Sequence, residues 1–397
     1  MFIKCLTFII SVLSFAAYGY DLSDNVAPSR NPPHGLSPSE VPQFIVLGSD
    51  DQSSAEGMEW ILDYIESRTN PDGSPVTMVF YSNSRNFSDP QIVQQHLRAV
   101  SMGCEIGNHT ANHIALELDW TPGGDKVRKQ MTLDDWRAEI SECQEAIVEV
   151  LGLPVESVAG FRTPFLAYND STFTVLRELG FLYDCSIIEG TGTQRVGRYY
   201  WPYTMNNGSP GHNASWYRQF FDIQVGSHPG LWVLPCYNFV IPSDDESQQY
   251  GIEPGLIAEL DEMLGYATNG KVTPLDYNLW ASRNAGGVEL NKEQSLAVLK
   301  HTLDKMYNGN RTPMTLGMHT DFYISNYWNP SDFVNIQDYM ERRAVIEEFI
   351  DYALQLEDVR FVTGIDVINF MRNPPETAVP VSQEYQETEA DTETITQ

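Results

Sequence analysis

Four short stretches of the chain hold residue types able to do hydrolytic chemistry. In "FIVLGSDDQ" two carboxylates, Asp50 and Asp51, close an apolar run. Neighbouring side chains of an extended strand point to opposite faces, so the two acids need not share a task, and an ordinary surface pair is the plain alternative. "CEIGNHTANH" sets His109 and His113 four residues apart. On a first helical turn that spacing puts both imidazoles on one face, as metal ligands require; two loop histidines satisfied by carbonyl groups give the same pattern. "SVAGFRTPF" places Arg162 after a third apolar run, with Pro164 fixing the backbone so that the amide of Phe165 can be aimed. "MTLGMHTDF" ends a late apolar run on His319. Taken singly, a solvated arginine and a structural histidine account for these last two.

What joins the four is their place on the elements that must carry them. Short β-prone runs ("FIVLGS", "VTMVFYS", "CEIGN", "SVAGF", "FLYDCSI", "LWVLPCY", "MTLGM", "VRFVTG") alternate with helical patterns, which predicts parallel βα units and an α/β fold. Thr132, Asp135 and Gly152 mark the ends of one helix, and Asp89 with Pro90 opens another that stops at Gly103. All four clusters then fall at the C-terminal ends of strands, where the loops of a parallel barrel converge on one opening. Two imidazoles with one carboxylate for a metal, a second carboxylate as base, an arginine and a further histidine make up the inventory of metal-assisted hydrolysis.

The bulk numbers set limits. With 397 residues, 42% hydrophobic and 12% aromatic, the chain predicts one main domain with a large core. The 54 acids against 24 bases give a net charge of -30, which repels nucleic acid and anionic lipid and favours a neutral or cationic ligand. Residues 1–19 read as a signal peptide, too short in their apolar run to span a membrane, which predicts secretion to the periplasm or the medium, with no membrane insertion afterwards. A proline-rich arm over 20–42 precedes a catalytic domain at 43–371, and an acidic disordered tail follows at 372–397. A polar, turn-rich loop excursion at about 238–290, with a helical piece near "GLIAELDEML", is expected to shape the cleft rim. Cys104, Cys143, Cys185 and Cys236 remain after signal removal. Two disulfides are possible, with Cys104–Cys143 and Cys185–Cys236 favoured among three connectivities and four buried thiols as the alternative.

In order and spacing, these residues resemble the polysaccharide deacetylase family, carbohydrate esterase family 4. "GSDD" is similar to the family's T-F-D-D, "HTANH" matches H-[ST]-x-x-H, "RTPF" matches R-x-P-[YF], and Leu316 to His319, "LGMH", matches L-x-x-H. "NPDGSPVTMVFY" and "YYWPYTM" look like chitin deacetylases. The resemblance implies a distorted (β/α) barrel of about seven strands. It further implies that Asp51, His109 and His113 hold Zn2+ or another divalent transition metal, and that Asp50 is the base, oriented by Arg162. On the same resemblance, the Phe165 backbone N–H would stabilise the oxyanion, His319 would be the acid, and Leu316 would line the acetyl pocket. Gly48 and Ser49 replace the usual threonine and phenylalanine, and Gln52 a glycine or alanine, a loss of bulk expected to loosen the base. Asp184 and Trp201 or Trp232 are candidates for a further motif that tunes the acid and walls the groove. Trp201, Tyr203 and Trp232 are candidate sugar-stacking residues, with a core role as the alternative.

The implied activity is N-deacetylation of chitin or chito-oligosaccharides, with no protein partner indicated. Acetyl-xylan esterase, peptidoglycan or poly-N-acetylglucosamine deacetylase, and a non-catalytic carbohydrate-binding protein are the alternatives.

Overall fold

The apolar runs that lack polar alternation become strands buried on both faces, as a parallel sheet covered by helices demands. The computed structural model describes residues 20–114, 117–118, 128–129, 131–191, 197–214, 223–327 and 330–373. Its main sheet is built from β1 (Gln43–Asp51), β2 (Val79–Ser82), β3 (Glu105–Asn108), β4 (Gly160–Phe161), β5 (Tyr183–Asp184), β6 (Tyr203–Met205), β7 (His228–Val233), β8 (Met314–Met318) and β9 (Val359–Phe361). The order is β8-β1-β2-β3-β4-β5-β7-β6. Every pairing from β8 to β7 is parallel, as is that of β9 with β1, which gives this sheet eight parallel strands among the described residues, and β6 joins antiparallel at the far edge. β9 pairs with the first three residues of β1, on the edge that β2 takes over from Gly48 onward. The fold is α/β, a curled and incompletely closed (β/α) barrel, as expected.

Alternation along β1 and β8 sorts two cores. Ile45, Leu47, Leu316 and Met318 pack outward with Met58, Ile61 and Leu62 of helix Ala55–Glu66. Phe44, Val46, Tyr81, Tyr183, Trp201 and Trp232 fill the barrel interior. The gap between β8 and the chain leaving β7 is closed by one side chain: the Thr315 hydroxyl donates to Pro235 O (2.9 Å) and accepts from Tyr237 N–H (3.0 Å).

The predicted helix ends form. Thr132 and Asp135 make a reciprocal capping box, Gly152 ends that helix at φ 65°, and Asp89 accepts from Gln91 N–H ahead of helix Pro90–Ser101. The proline-rich segment is more firmly tied than a surface arm. Trp201 N–H donates to Ser29 O, Thr204 N–H to Val26 O, and Trp232 Nε1–H to Asp24, which also pairs with Arg372 at 3.0 Å. With helix Gly364–Arg372 this segment covers the end of the barrel where the strands begin, since Phe370 packs on both Phe44 and Trp201. Residues 1–19 and 374–397, where the signal peptide and nearly all of the tail are expected, lie outside the described residues. No described helix is long and apolar enough to cross a membrane.

The favoured disulfides are not made. All four cysteines are buried free thiols, and the Cys185 and Cys236 sulfurs stand 3.8 Å apart, against about 2.05 Å for a disulfide. Each of three thiols has a separate partner instead: Cys143 Sγ donates to Ser82 O, Cys236 Sγ to Cys185 O, and Cys185 Sγ accepts from Arg162.

Candidate active site

The inward alternation of β1 carries Asp50 into the barrel mouth, where it is 3% exposed. Arg162, fully buried just after β4, donates from Nη1 to Asp50 Oδ1 (2.8 Å) and to Gly48 O (3.2 Å), and from Nε to Cys185 O (3.0 Å). Burial pushes the Asp50 carboxyl above its ordinary value, and the Arg162 and His319 charges oppose that rise.

An extended chain would turn Asp51 to the outer face. It does not, because Asp51 and Gln52 adopt left-handed backbone (φ 74° and 51°), a conformation uncommon outside glycine and held here by the surroundings. Asn86 fixes the turn by donating to Asp51 O (2.8 Å). Asp51 Oδ1 thereby comes within 3.1 Å of His113 Nε2 and 3.7 Å of His109 Nε2. The two histidines do not sit on a helical turn as their spacing suggested. They lie on irregular chain, with Thr110 and His113 at positive φ, and their ring centres are 5.2 Å apart.

These three residues fit a metal ion. Their ligand atoms all lie within 4.8 Å of one another, and Asp51 Oδ1 is buried without a hydrogen-bond partner. His109 Nδ1 faces Arg162 O at 2.7 Å. A carbonyl can only accept, so Nδ1 carries the proton and Nε2 keeps its lone pair for a ligand. Burial lowers His109 well below the usual histidine range and His113 to about 4, so both rings are neutral at pH 7. Burial lifts Asp51 to about 6, with His319 opposing and Asp50 adding to the rise.

Across the mouth, His319 follows β8. Its Nδ1 donates to Asp276 Oδ1 (2.8 Å) while Asp276 Oδ2 takes the His319 backbone N–H (2.9 Å) and the Tyr323 hydroxyl (2.9 Å). Burial alone would lower His319, but Asp276, then Asp50 and Asp51, outweigh it and raise the ring to about 9. The site therefore pairs a carboxylate and a cationic imidazole beside two neutral imidazoles and a further carboxylate. That set can hold a metal, take one proton and give another.

The comparisons agree with this inventory. The polysaccharide deacetylase family profile matches residues 72–183. Chitin deacetylase 8 of Bombyx mori is 23% identical over 367 residues, covering 92% of this chain and 79% of that protein. Over those residues the chain is similar to the polysaccharide deacetylase family, and over most of its length it is similar in sequence to chitin deacetylases. Chitin deacetylase 1 of Bombyx mori is 25% identical over 345 residues, or 86% of this chain, which spans about half of that relative's length (53%). A candidate polysaccharide deacetylase of Mycobacterium smegmatis shares the fold over 91% of this chain and 100% of its own, with a TM-score of 0.51 and 14% identity.

Against the deacetylase motifs, the structure corrects four expectations. The partner of His319 is Asp276, not Asp184, which is buried and bonded to Ser186 Oγ and N–H. Asp276 lies in the excursion at 238–290, which thus supplies a site residue and not only a rim. Leu316 faces the helices, since it shares the outward phase of Leu47; the inward neighbour Gly317 leaves a space that Leu275 fills, 2.1 Å from where a Cβ would stand. Trp201 and Trp232 are fully buried toward the far end of the barrel and Tyr203 is buried with them, so none presents a ring to a sugar. Phe165, by contrast, is 63% exposed, and its ring meets His113 edge-on at 4.7 Å. The substituted residues of "GSDDQ" are themselves hydrogen-bonded. Ser49 Oγ accepts from Thr320 N–H and from Gln52 Nε2, and Gln52 in turn accepts from Ser82 Oγ.

Proposed function

We propose that the protein is a secreted, metal-dependent N-deacetylase of chitin or chito-oligosaccharides, releasing acetate and leaving glucosamine units. The observation that carries this reading is the convergence of Asp51, His109 and His113 between a buried Asp50–Arg162 pair and a buried Asp276–His319 pair. Asp51, His109 and His113 would hold a divalent cation, zinc being the natural fit for two imidazoles and a carboxylate, and that ion would supply Lewis acidity.

Asp50 takes the proton from the attacking water, with Arg162 holding its carboxylate ionised and aligned. The Phe165 backbone N–H, placed by the turn at Pro164, donates to the acyl oxygen as negative charge gathers there. His319, cationic at neutral pH, delivers its proton to the departing nitrogen, and Asp276 keeps the ring oriented. An amine leaves poorly unless protonated and needs that proton more than an alcohol does, so a proton donor at this position fits an amide substrate at least as well as an acetyl ester. The curated relatives named as chitin deacetylases support the same substrate class.

The test is acetate release by the mature chain, stripped with a chelator and assayed with and without zinc, on chito-oligosaccharides and acetylated xylan side by side. Zinc-dependent release from the chito-oligosaccharides is expected. Release from xylan alone would move the protein to the esterases, and zinc binding without release from either would leave a carbohydrate-binding protein.

A further inference from the structure

The family-atypical Gly48 has a physical counterpart deeper in the barrel. Tyr81 on β2 is fully buried, and its ring lies under the Arg162 guanidinium, with Arg162 Cζ 4.2 Å from the ring centre. Two glycines on the flanking strands cut the slot that holds this ring. A Cβ at Gly48 would stand 3.0 Å from Tyr81 Cε2 and 2.9 Å from Arg162 Nη2, and a Cβ at Gly107 would stand 2.6 Å from Tyr81 Cδ1. Register explains the arrangement, because Tyr81 pairs with Asp50 on one side and with Gly107 on the other. The far end of the ring is pinned as well: the Tyr81 and Tyr183 hydroxyls are 3.2 Å apart, and Tyr183 donates to Glu105 at 2.9 Å.

We propose that Tyr81, seated between Gly48 and Gly107, is the positioning residue for the base, acting through Arg162. The guanidinium has one face on the aromatic ring while its edge bonds Asp50, Gly48 and Cys185, so the ring fixes the plane in which Nη1 reaches Asp50. A planar cation held on a flat surface loses the freedom to rotate away from its carboxylate. The bulk absent at Gly48 is replaced by this stack, which makes "GSDD" an exchange of parts rather than a loss.

The inference rests on the deacetylase reading for its kinetic test and on NMR for an independent one. In zinc-loaded protein, Tyr81→Leu is expected to lower kcat about tenfold with KM within about twofold, while Tyr81→Phe, which keeps the ring, recovers kcat to within about threefold of wild type. In an Arg162→Lys background Tyr81→Leu should add less than about threefold, because both changes act through one contact. An equal cost of Tyr81→Leu in both backgrounds, or Tyr81→Phe as damaging as Tyr81→Leu, overturns the proposal. In protein labelled with 15N-arginine, the Arg162 Nε–H signal, assigned by its loss in Arg162→Lys, should be slow to exchange in wild type and Tyr81→Phe. It should broaden or vanish in Tyr81→Leu. An unchanged signal in Tyr81→Leu sinks the idea even if the wild-type chain deacetylates nothing, whereas a changed signal with no activity would sink only the functional reading.

Discussion

The two ends of the barrel interior use the same kinds of residue and leave them in different states. Where the strands begin, the carboxylates are partnered: Glu105 accepts from the Tyr183 hydroxyl and Ile365 N–H, and Asp24 from Trp232 Nε1–H and Arg372. Where the strands end, one carboxylate is not. Asp51 Oδ1 has no hydrogen-bond partner, the Nε2 atom of His109 keeps its lone pair because Nδ1 faces Arg162 O, and Asp51, Thr110 and His113 hold left-handed backbone. Saturated buried polar groups stabilise a fold, while unsatisfied ones cost stability unless a ligand arrives. At the mouth the unpartnered group is a carboxylate oxygen beside two imidazoles, which marks that end as the candidate site.

Substitutions at the two ends should separate activity from stability. The largest effect is expected from His113→Ala, which removes a ligand atom: zinc binding by calorimetry should fall steeply and acetate release should be lost, with little change in the apo-protein melting temperature. Retained zinc-dependent turnover in this variant would show that the three ligand residues are not the metal site.

Next comes Asp276→Asn. Asp276 raises the His319 ring to about 9, so His319 holds its proton, and the rate its acid role, up to that pH. The alkaline limb of the kcat profile should lie near 9 in wild type and move down in the variant, with a loss of about 10- to 100-fold at pH 8. An unmoved limb would assign the proton donor to another group.

At the opposite end, Trp232→Phe should cost about 1–3 kcal/mol of stability through the lost contact with Asp24 and the reduced volume, and leave KM for chito-oligosaccharides unchanged. A raised KM at constant stability would return Trp232 to the sugar site. The smallest effect is at Glu105, which burial raises to about 7, with hydrogen bonds from Ile365 and Tyr183 opposing. Its folded value lies above the unfolded value of about 4.3, so the protonated form supports the fold; that contribution is complete below about pH 4.3 and lost as pH rises through about 7. Melting temperatures of Glu105→Gln should therefore vary less between pH 4.5 and 7 than those of wild type, with turnover little affected.

The motif residues were legible because each sits at a strand end, where composition and spacing survive in one dimension. Apolar runs fixed the strands, and Thr132, Gly152 and Asp89 fixed helix ends through local bonds that need only near neighbours. Asp276 was not legible. It lies 43 residues from His319 in a loop without periodicity, and the signal that could have found it is the short run "PLDYNLW" inside a polar stretch. The tryptophans misled for the opposite reason: a large aromatic reads equally as a rim or a core residue, and only the closing segment at Asp24 and Ser29 decides.

By itself, the sequence determined the residue inventory, the parallel α/β order and the end of the strands at which the chemistry gathers, since these follow from hydrophobic pattern and local capping. Tertiary structure alone decided that Asp51 turns back to join two histidines, that Asp276 partners His319, that no two of the four described cysteines come to disulfide distance, and that Gly48 makes room for Arg162 over Tyr81. Each of these depends on a contact between segments far apart in the chain, and on backbone conformations that only the packed surroundings hold in place.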